Sequence, residues 1–191
     1  MILSTLMLAA ALQQPALSCP IAGDPVSGKP GETIEYAGIR FATCCTDCGG
    51  TFKKDPAKAL KASAEKGKTV GVFLFDPITH ARIDDKKAVG FSDYKGVRYE
   101  FKSEDEKKTF DADPKKYTAR PEKEALFCPV YKTKIGAYYQ AGGYVDAGGV
   151  RYYVCCDSCL AQMGQEPSKF TANAANEVKA PVAADVTASS E

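Results

Sequence analysis

The chain has 191 residues, 45% of them hydrophobic, and its 25 lysines and arginines against 24 acids leave a formal charge of +1. That balance lacks the basic excess that releases counterions on binding nucleic acid, so a nucleic-acid role is disfavoured. Eight cysteines beside one histidine, His80, and no tryptophan make cysteine chemistry the feature to be explained.

The chain begins MILSTLMLAAALQQPAL, with an apolar run from Ile2 to Leu12 that is too short to span a bilayer as a helix. Residues 1–18 read as a secretory signal peptide, with Ala9 and Ala11 offering a small-residue cleavage site, although the first basic residue is Lys29. A hydrophobic N-terminal helix of a cytosolic protein is the alternative. Ala16-Leu17-Ser18-Cys19 is a poor match to a lipidation signal that would acylate Cys19. The expectation is an exported protein, periplasmic or secreted, with no stable membrane span once the signal is removed.

Beyond Cys19 the chain repeats. IRFATCCTDCGGTFKKDP (Ile39 to Pro56), VRYEFKSEDEKKTFDADP (Val97 to Pro114) and VRYYVCCDSCLAQMGQEP (Val150 to Pro167) align without gaps. Each opens hydrophobic-Arg-aromatic and closes on an acid followed by proline. Their first halves also correspond: CPIAGDPV starts at Cys19, DPITHARI at Asp76 and CPVYKTKI at Cys128. From those starts to Cys44, Lys102 and Cys155 the offsets are 25, 26 and 27 residues. Such spacing predicts three tandem modules, 19–69, 70–121 and 122–171. The lysine-rich stretch Lys58 to Lys68 and the linker Thr118 to Glu122 join them.

Within a module the order predicted is a β-hairpin and then a helix, an α+β class. Thr33 to Tyr36 and Ile39 to Ala42 flank Ala37-Gly38, and Gly96 and Gly149 hold the same turn place in the other two. SEDEKKTF and CLAQM read as short helices ending near the acid-proline pair, because proline disfavours helix in the residue before it. Val70 to Phe75 and Ala125 to Phe127 lead in as strands. Residues 172–191, small, polar and alanine-rich, predict a disordered tail.

The cysteines carry the chemistry. Cys44 and Cys48, like Cys155 and Cys159, are four apart at a helix start and so share one face. The positive end of the helix dipole favours the thiolate, which is the metal-binding form. Cys19 and Cys128 arrive from the loop before the hairpin and complete a three-sulfur site in modules one and three.

Cys19-Pro20 and Cys128-Pro129, the strand Arg151 to Val154, Cys155-x-x-x-Cys159-Leu160 and Glu166 to Phe170 resemble the YHS domain and the similar TRASH domain of heavy-metal proteins. The resemblance covers residues 19–170 in three copies, the third being the best match. It implies a treble-clef-like zinc-finger fold, a part in metal trafficking, buffering or resistance, and ligands at Cys19, Cys44, Cys48, Cys128, Cys155 and Cys159. Cys45 and Cys156 depart from the pattern. A tetrahedral zinc site needs a fourth ligand, open to Cys45 and Cys156, to Asp47 and Asp157, or to water. Chelation by the adjacent Cys44 and Cys45 is strained, and a three-coordinate site suits copper(I) instead.

The competing reading is a disulfide framework, as expected of an exported chain with an even number of cysteines, pairing Cys19 with Cys44 or Cys48 and Cys128 with Cys155 or Cys159. Thiol redox chemistry ranks below both, since C-x-x-C redox motifs sit in a βαβ setting. Module two carries Asp76, Lys102, Ser103 and Glu106 at the cysteine positions and cannot form a thiolate site. Its eight Phe and Tyr residues in 73–117, against three in 19–60, predict that packing holds it, and that a chelator unfolds module one first. His80 lies in a proline-containing loop and reads as structural. Lys102 to Lys116 reads as a solvated helix face, and Tyr138, Tyr139 and Tyr144 as packing.

No nucleophile-base pair, carboxylate dyad or phosphate loop is present, so the expected function is not enzymatic. An exported holder of zinc, or of copper(I), is the leading expectation, with metal ions and a metal-transport or envelope protein as partners. A structural or protein-interaction protein stabilised by disulfides or structural zinc is the alternative.

Overall fold

The structure, a computed structural model, describes residues 15–84 and 87–186. The apolar run of the expected leader and residues 187–191 lie outside the described residues.

Three hairpins are built the same way. Strands β1 (Thr33–Tyr36) and β2 (Ile39–Ala42) meet at Ala37-Gly38, whose φ angles are 52° and 75°. Two positive φ angles in a two-residue loop match the right-handed twist of the strands. After hairpin one come helices α1 (Thr46–Lys54) and α2 (Pro56–Glu65), then β3 (Gly71–Phe73). The second hairpin, β4 (Gly90–Tyr94) and β5 (Val97–Phe101), turns at Lys95-Gly96 and runs into α3 (Glu104–Ala112) and α4 (Pro114–Tyr117). Strands β6 (Lys123–Ala125), β7 (Phe127–Cys128) and β8 (Thr133–Lys134) lead to the third, β9 (Gly143–Ala147) and β10 (Val150–Val154), which turns at Gly148-Gly149 and precedes α5 (Asp157–Gln165). In every hairpin an acid faces the arginine of the repeat across the strands: Glu35 and Arg40, Asp93 and Arg98, Asp146 and Arg151. All three pairs close as salt bridges.

The acid-proline pair does more than end a helix. Asp55 breaks α1 and then caps α2, its carboxylate accepting the N–H of Lys58 at 3.0 Å, and Asp113 does the same for Lys116 at 3.2 Å. Proline at the first helical position loses no hydrogen bond. The stretch Lys58 to Lys68, expected as a linker, is therefore largely helix.

The units along the chain are joined through the sheet. Strand β3 pairs antiparallel with β2 and parallel with β5, giving one six-stranded sheet across the first two hairpins, edged by a late strand β11 (Ala184–Asp185) and ordered β11-β1-β2-β3-β5-β4. The third hairpin forms its own sheet with parallel β6, but Phe73 and Phe75 pack edge-on against Tyr144 at 5.8 and 5.5 Å, and Phe75 also meets Tyr153. One buried cluster runs through all three units. Each fully buried ring contributes about 2 to 3 kcal/mol, so packing shared between units rivals what any one unit holds alone. Tyr138 and Tyr144 belong to this core, as the sequence predicts.

The expected disorder beyond Phe170 is also corrected. Residues Thr171–Glu177 form a 3-10 turn with Ala174 buried, Asn173 donates its side-chain amide to the carbonyl of Pro129, and Lys179 and Glu124 exchange backbone hydrogen bonds. Strand β11 (Ala184–Asp185) then pairs with the free edge of β1, and Lys53 grips Asp185. Backbone pairing orders a segment whose side chains bury little. At the other end, residues 15–18, assigned with the leader from sequence, belong to the fold: Leu17 accepts the N–H of Val26, Ser18 donates to Thr69, and Arg98 donates to the carbonyl of Pro15.

Candidate metal centres

Each hairpin is preceded by a tight loop with the same register. Bridges Ser18 to Pro25, Phe75 to Arg82 and Phe127 to Lys134 close it. The residue four after the first loop position has positive φ in all three: Gly23 at 81°, His80 at 63° and Lys132 at 52°. His80 is thus a turn residue, stacked on Tyr144 at 4.4 Å, as the structural reading predicts. The loop curls its N–H groups back onto the side chain at its head. In the middle loop Ile78 and Thr79 donate to Asp76 Oδ1 at 2.7 and 3.2 Å. In the outer loops the equivalent groups of Ile21 and Ala22 face Cys19, and those of Val130 and Tyr131 face Cys128.

The hairpin returns the chain so that a helix start faces this loop. Cys44 and Cys155 sit just before the N-caps of α1 and α5, and Cys48 and Cys159 sit one turn in. The result is two triads, Cys19-Cys44-Cys48 and Cys128-Cys155-Cys159, whose sulfurs all lie within 4.8 Å of one another and can hold a metal ion. The Cys44 to Cys48 and Cys155 to Cys159 sulfur separations are both 3.7 Å. Zinc–sulfur bonds of about 2.3 Å place tetrahedral ligand sulfurs about 3.8 Å apart, close to the separation of the helix-start sulfurs in both clusters. All eight cysteines are free. The disulfide framework, pairing Cys19 or Cys128 with the helix-start cysteines, is therefore not the state the structure holds.

Cys45 and Cys156 occupy the N-caps, the place Ser103 takes in the middle unit. The N–H of Cys48 donates to Cys45 Sγ at 3.4 Å, as that of Glu106 donates to Ser103 Oγ at 3.2 Å. Neither N-cap sulfur belongs to a triad, although they lie 2.9 and 3.0 Å from Cys48 and Cys159. The N-cap sulfurs thus stand beside the cluster, next to one sulfur of each triad.

Ionisation is uneven within a cluster. Burial opposes the thiolate of Cys19, but the N–H groups of Ala22, Cys44 and Ile21 outweigh it and lower its pKa. Cys128 is lowered the same way, against burial, by the N–H groups of Tyr131 and Cys155. Cys44 is raised, chiefly because its thiol donates to Cys19. Cys155 is raised to about 11 by burial and by donating to Cys128. Cys48 is raised mainly by its hydrogen bond with Cys45, and Cys159 mainly by burial and then by Cys156. Cys45 falls below the usual range through Cys48, and Cys156 falls to about 7 through Ser158 and Cys159. The loop cysteines are thus shifted toward the thiolate relative to their helix-start partners, and binding a metal displaces the protons that the cysteines hold.

In the middle unit two of the three triad positions hold carboxyls, Asp76 and Glu106, and the third is Lys102. Asp76 is fully buried, and its Oδ2 and Glu106 Oε2 have no hydrogen-bond partner. Burial raises the pKa of Asp76, and the adjacent Glu106 raises it further. Two glycines escaped the sequence reading. A Cβ at Gly31 would lie 2.4 Å from the Cys45 backbone, and one at Gly142 would lie 2.6 Å from that of Cys156. Both sit 14 residues before an N-cap cysteine, a signal the aligned repeat contains.

No helix among the described residues is long and apolar enough to cross a membrane. Comparison of the chain with protein-family models, with curated proteins and with solved structures finds no match.

Proposed function

We propose that the protein is an exported, non-enzymatic metal-binding protein that holds two thiophilic ions, zinc first and copper(I) as the alternative, for trafficking, buffering or resistance. The observation that carries this reading is the convergence of six sulfurs from distant segments into two equivalent triads. The ligands are Cys19, Cys44 and Cys48 in one cluster and Cys128, Cys155 and Cys159 in the other. The order of tight loop, hairpin and helix supports a treble-clef-like module of the YHS or TRASH kind, with the middle copy having lost its sulfurs. Three protein sulfurs leave one position of a tetrahedral ion for water or a donor from a partner, a metal-transport or envelope protein. Export is supported by the leader-like start of the chain.

Native mass spectrometry of protein purified under reducing conditions tests the proposal. Two ions per chain are expected, one for each cluster. A chain that stays metal-free when offered zinc or copper(I) at micromolar concentration would end it.

A further inference from the structure

The triads use three of the four cysteines in each outer unit, and the fourth is not required for capping. Ser103 caps α3 with a hydroxyl from the same position, and serine is among the preferred N-cap residues while cysteine is not. What the sulfur adds is proximity. Cys45 Sγ lies 2.9 Å from Cys48 Sγ, and Cys156 Sγ lies 3.0 Å from Cys159 Sγ, nearer than the 3.7 Å between the sulfurs of the triads. An N-cap residue and the third residue of its helix have Cα atoms roughly 5 to 5.5 Å apart, inside the range a disulfide spans. Cys45 is exposed and Cys156 half-buried, whereas Cys48 is half-buried and Cys159 buried, so within each pair the N-cap sulfur is the more accessible to an oxidant.

We propose that Cys45-Cys48 and Cys156-Cys159 are oxidisable dithiols whose closure takes a ligand away from each triad and releases its ion, so that metal retention is under redox control. This rests on the metal-binding reading of the same clusters. The oxidant is a low-molecular-weight disulfide. The Cys45 thiolate attacks one of its sulfurs, forming a mixed disulfide and expelling the first small thiolate. The sulfur of Cys48, leaving the metal, then attacks Cys45 Sγ and expels the second. Two electrons pass from the protein sulfurs to the oxidant, which leaves as two thiols. The ion keeps only Cys19 and Cys44, and dissociates. Cys156 and Cys159 act alike, leaving Cys128 and Cys155.

The full chain, loaded with zinc under reducing conditions and freed of reductant, is challenged with oxidised glutathione. Released zinc is followed with a chromogenic chelator, and the disulfides formed are mapped by peptide mass spectrometry. The wild-type protein should release zinc in step with Cys45-Cys48 and Cys156-Cys159 bonds. The Cys45→Ser, Cys156→Ser protein should load the same zinc and release it at least about ten-fold more slowly, since no resolving partner remains beside the ligand. Each single variant should protect only its own cluster, which keeps the test available if the double variant folds poorly. Equal release from the variants, or disulfides that pair Cys19, Cys44 or Cys48 among themselves, would overturn the proposal. If no zinc loads, the metal reading fails, and the disulfide map still decides whether the dithiols close as pairs.

Discussion

The two clusters have the same sulfur geometry and different surroundings. In the first, Cys19 is fully buried but Cys44 and Cys45 are exposed and Cys48 half-buried. In the second, Cys128 and Cys159 are fully buried, and Cys155 and Cys156 are half-buried. One further exchange separates them: Ser158 hydrogen-bonds Cys156 at 3.2 Å, where the first cluster has Asp47, whose charge disfavours a thiolate at Cys45. Identical ligand geometry can thus be set to different lability by what covers it, since water and competing ligands must reach the ion before it leaves.

Removing ligands should have the largest effect. Cys48→Ser and Cys159→Ser should each lower stoichiometry by one ion, but Cys159→Ser should also lower the melting temperature more, because a hydroxyl replaces a buried sulfur in the core. Native mass spectra paired with thermal scans check this, and equal melting shifts would erase the proposed asymmetry. Next in size is the rate of metal loss. A chelator should strip the Cys19-Cys44-Cys48 cluster, whose Cys44 is exposed, roughly ten-fold faster than its partner. Biphasic release, with the fast phase absent in Cys48→Ser, is the signature, whereas one phase of two ions would show that burial does not matter. Because one core joins the units, unfolding should be a single transition, and the expectation that a chelator unfolds one module at a time is revised accordingly.

A smaller effect is expected at the glycines. Gly142→Ala should destabilise by about 1 to 3 kcal/mol as the Cβ pushes the Cys156 turn away, and it should weaken metal binding in the second cluster alone. Denaturant titration with and without zinc measures both effects, and an unchanged midpoint would show that the turn yields freely. The smallest concerns the middle unit. The folded pKa of Asp76 is raised, so its contribution is full below the ordinary aspartate range and is lost as pH rises through the folded value. Asp76→Asn keeps the acceptor for Ile78 and Thr79 and offers Glu106 a donor. It should therefore add about 1 kcal/mol at pH 7 and flatten the fall in stability above pH 4. Loss of stability at pH 7 would instead mark the carboxylate as a needed acceptor.

Much of the candidate site was readable along the chain because its signals are local and repeated. Spacing of four marks a helix face, Ala37-Gly38 and its counterparts mark turns, and near-constant offsets bring Cys19 and Cys128 to the helix starts. Other features were not readable, because they depend on partners distant in sequence. That Lys58 to Lys68 is helix follows from Asp55 serving as the end of one helix and the cap of the next, a pairing that composition conceals. The place of the extra cysteines at the N-caps, beside a triad sulfur, was likewise not readable from spacing alone.

By itself, then, the sequence determined three hairpin-and-helix units and which six sulfurs converge, since both follow from short-range periodicity and the geometry of turns. Only the tertiary structure decided that the units share one core, that the chain beyond Phe170 closes a sheet edge, and that Asp76 and Glu106 stand where the outer units place sulfurs. Those features rest on hydrogen bonds and burial between segments tens of residues apart. Such contacts leave no period in the chain, because their free energy comes from surfaces that meet only after each segment has taken its local shape.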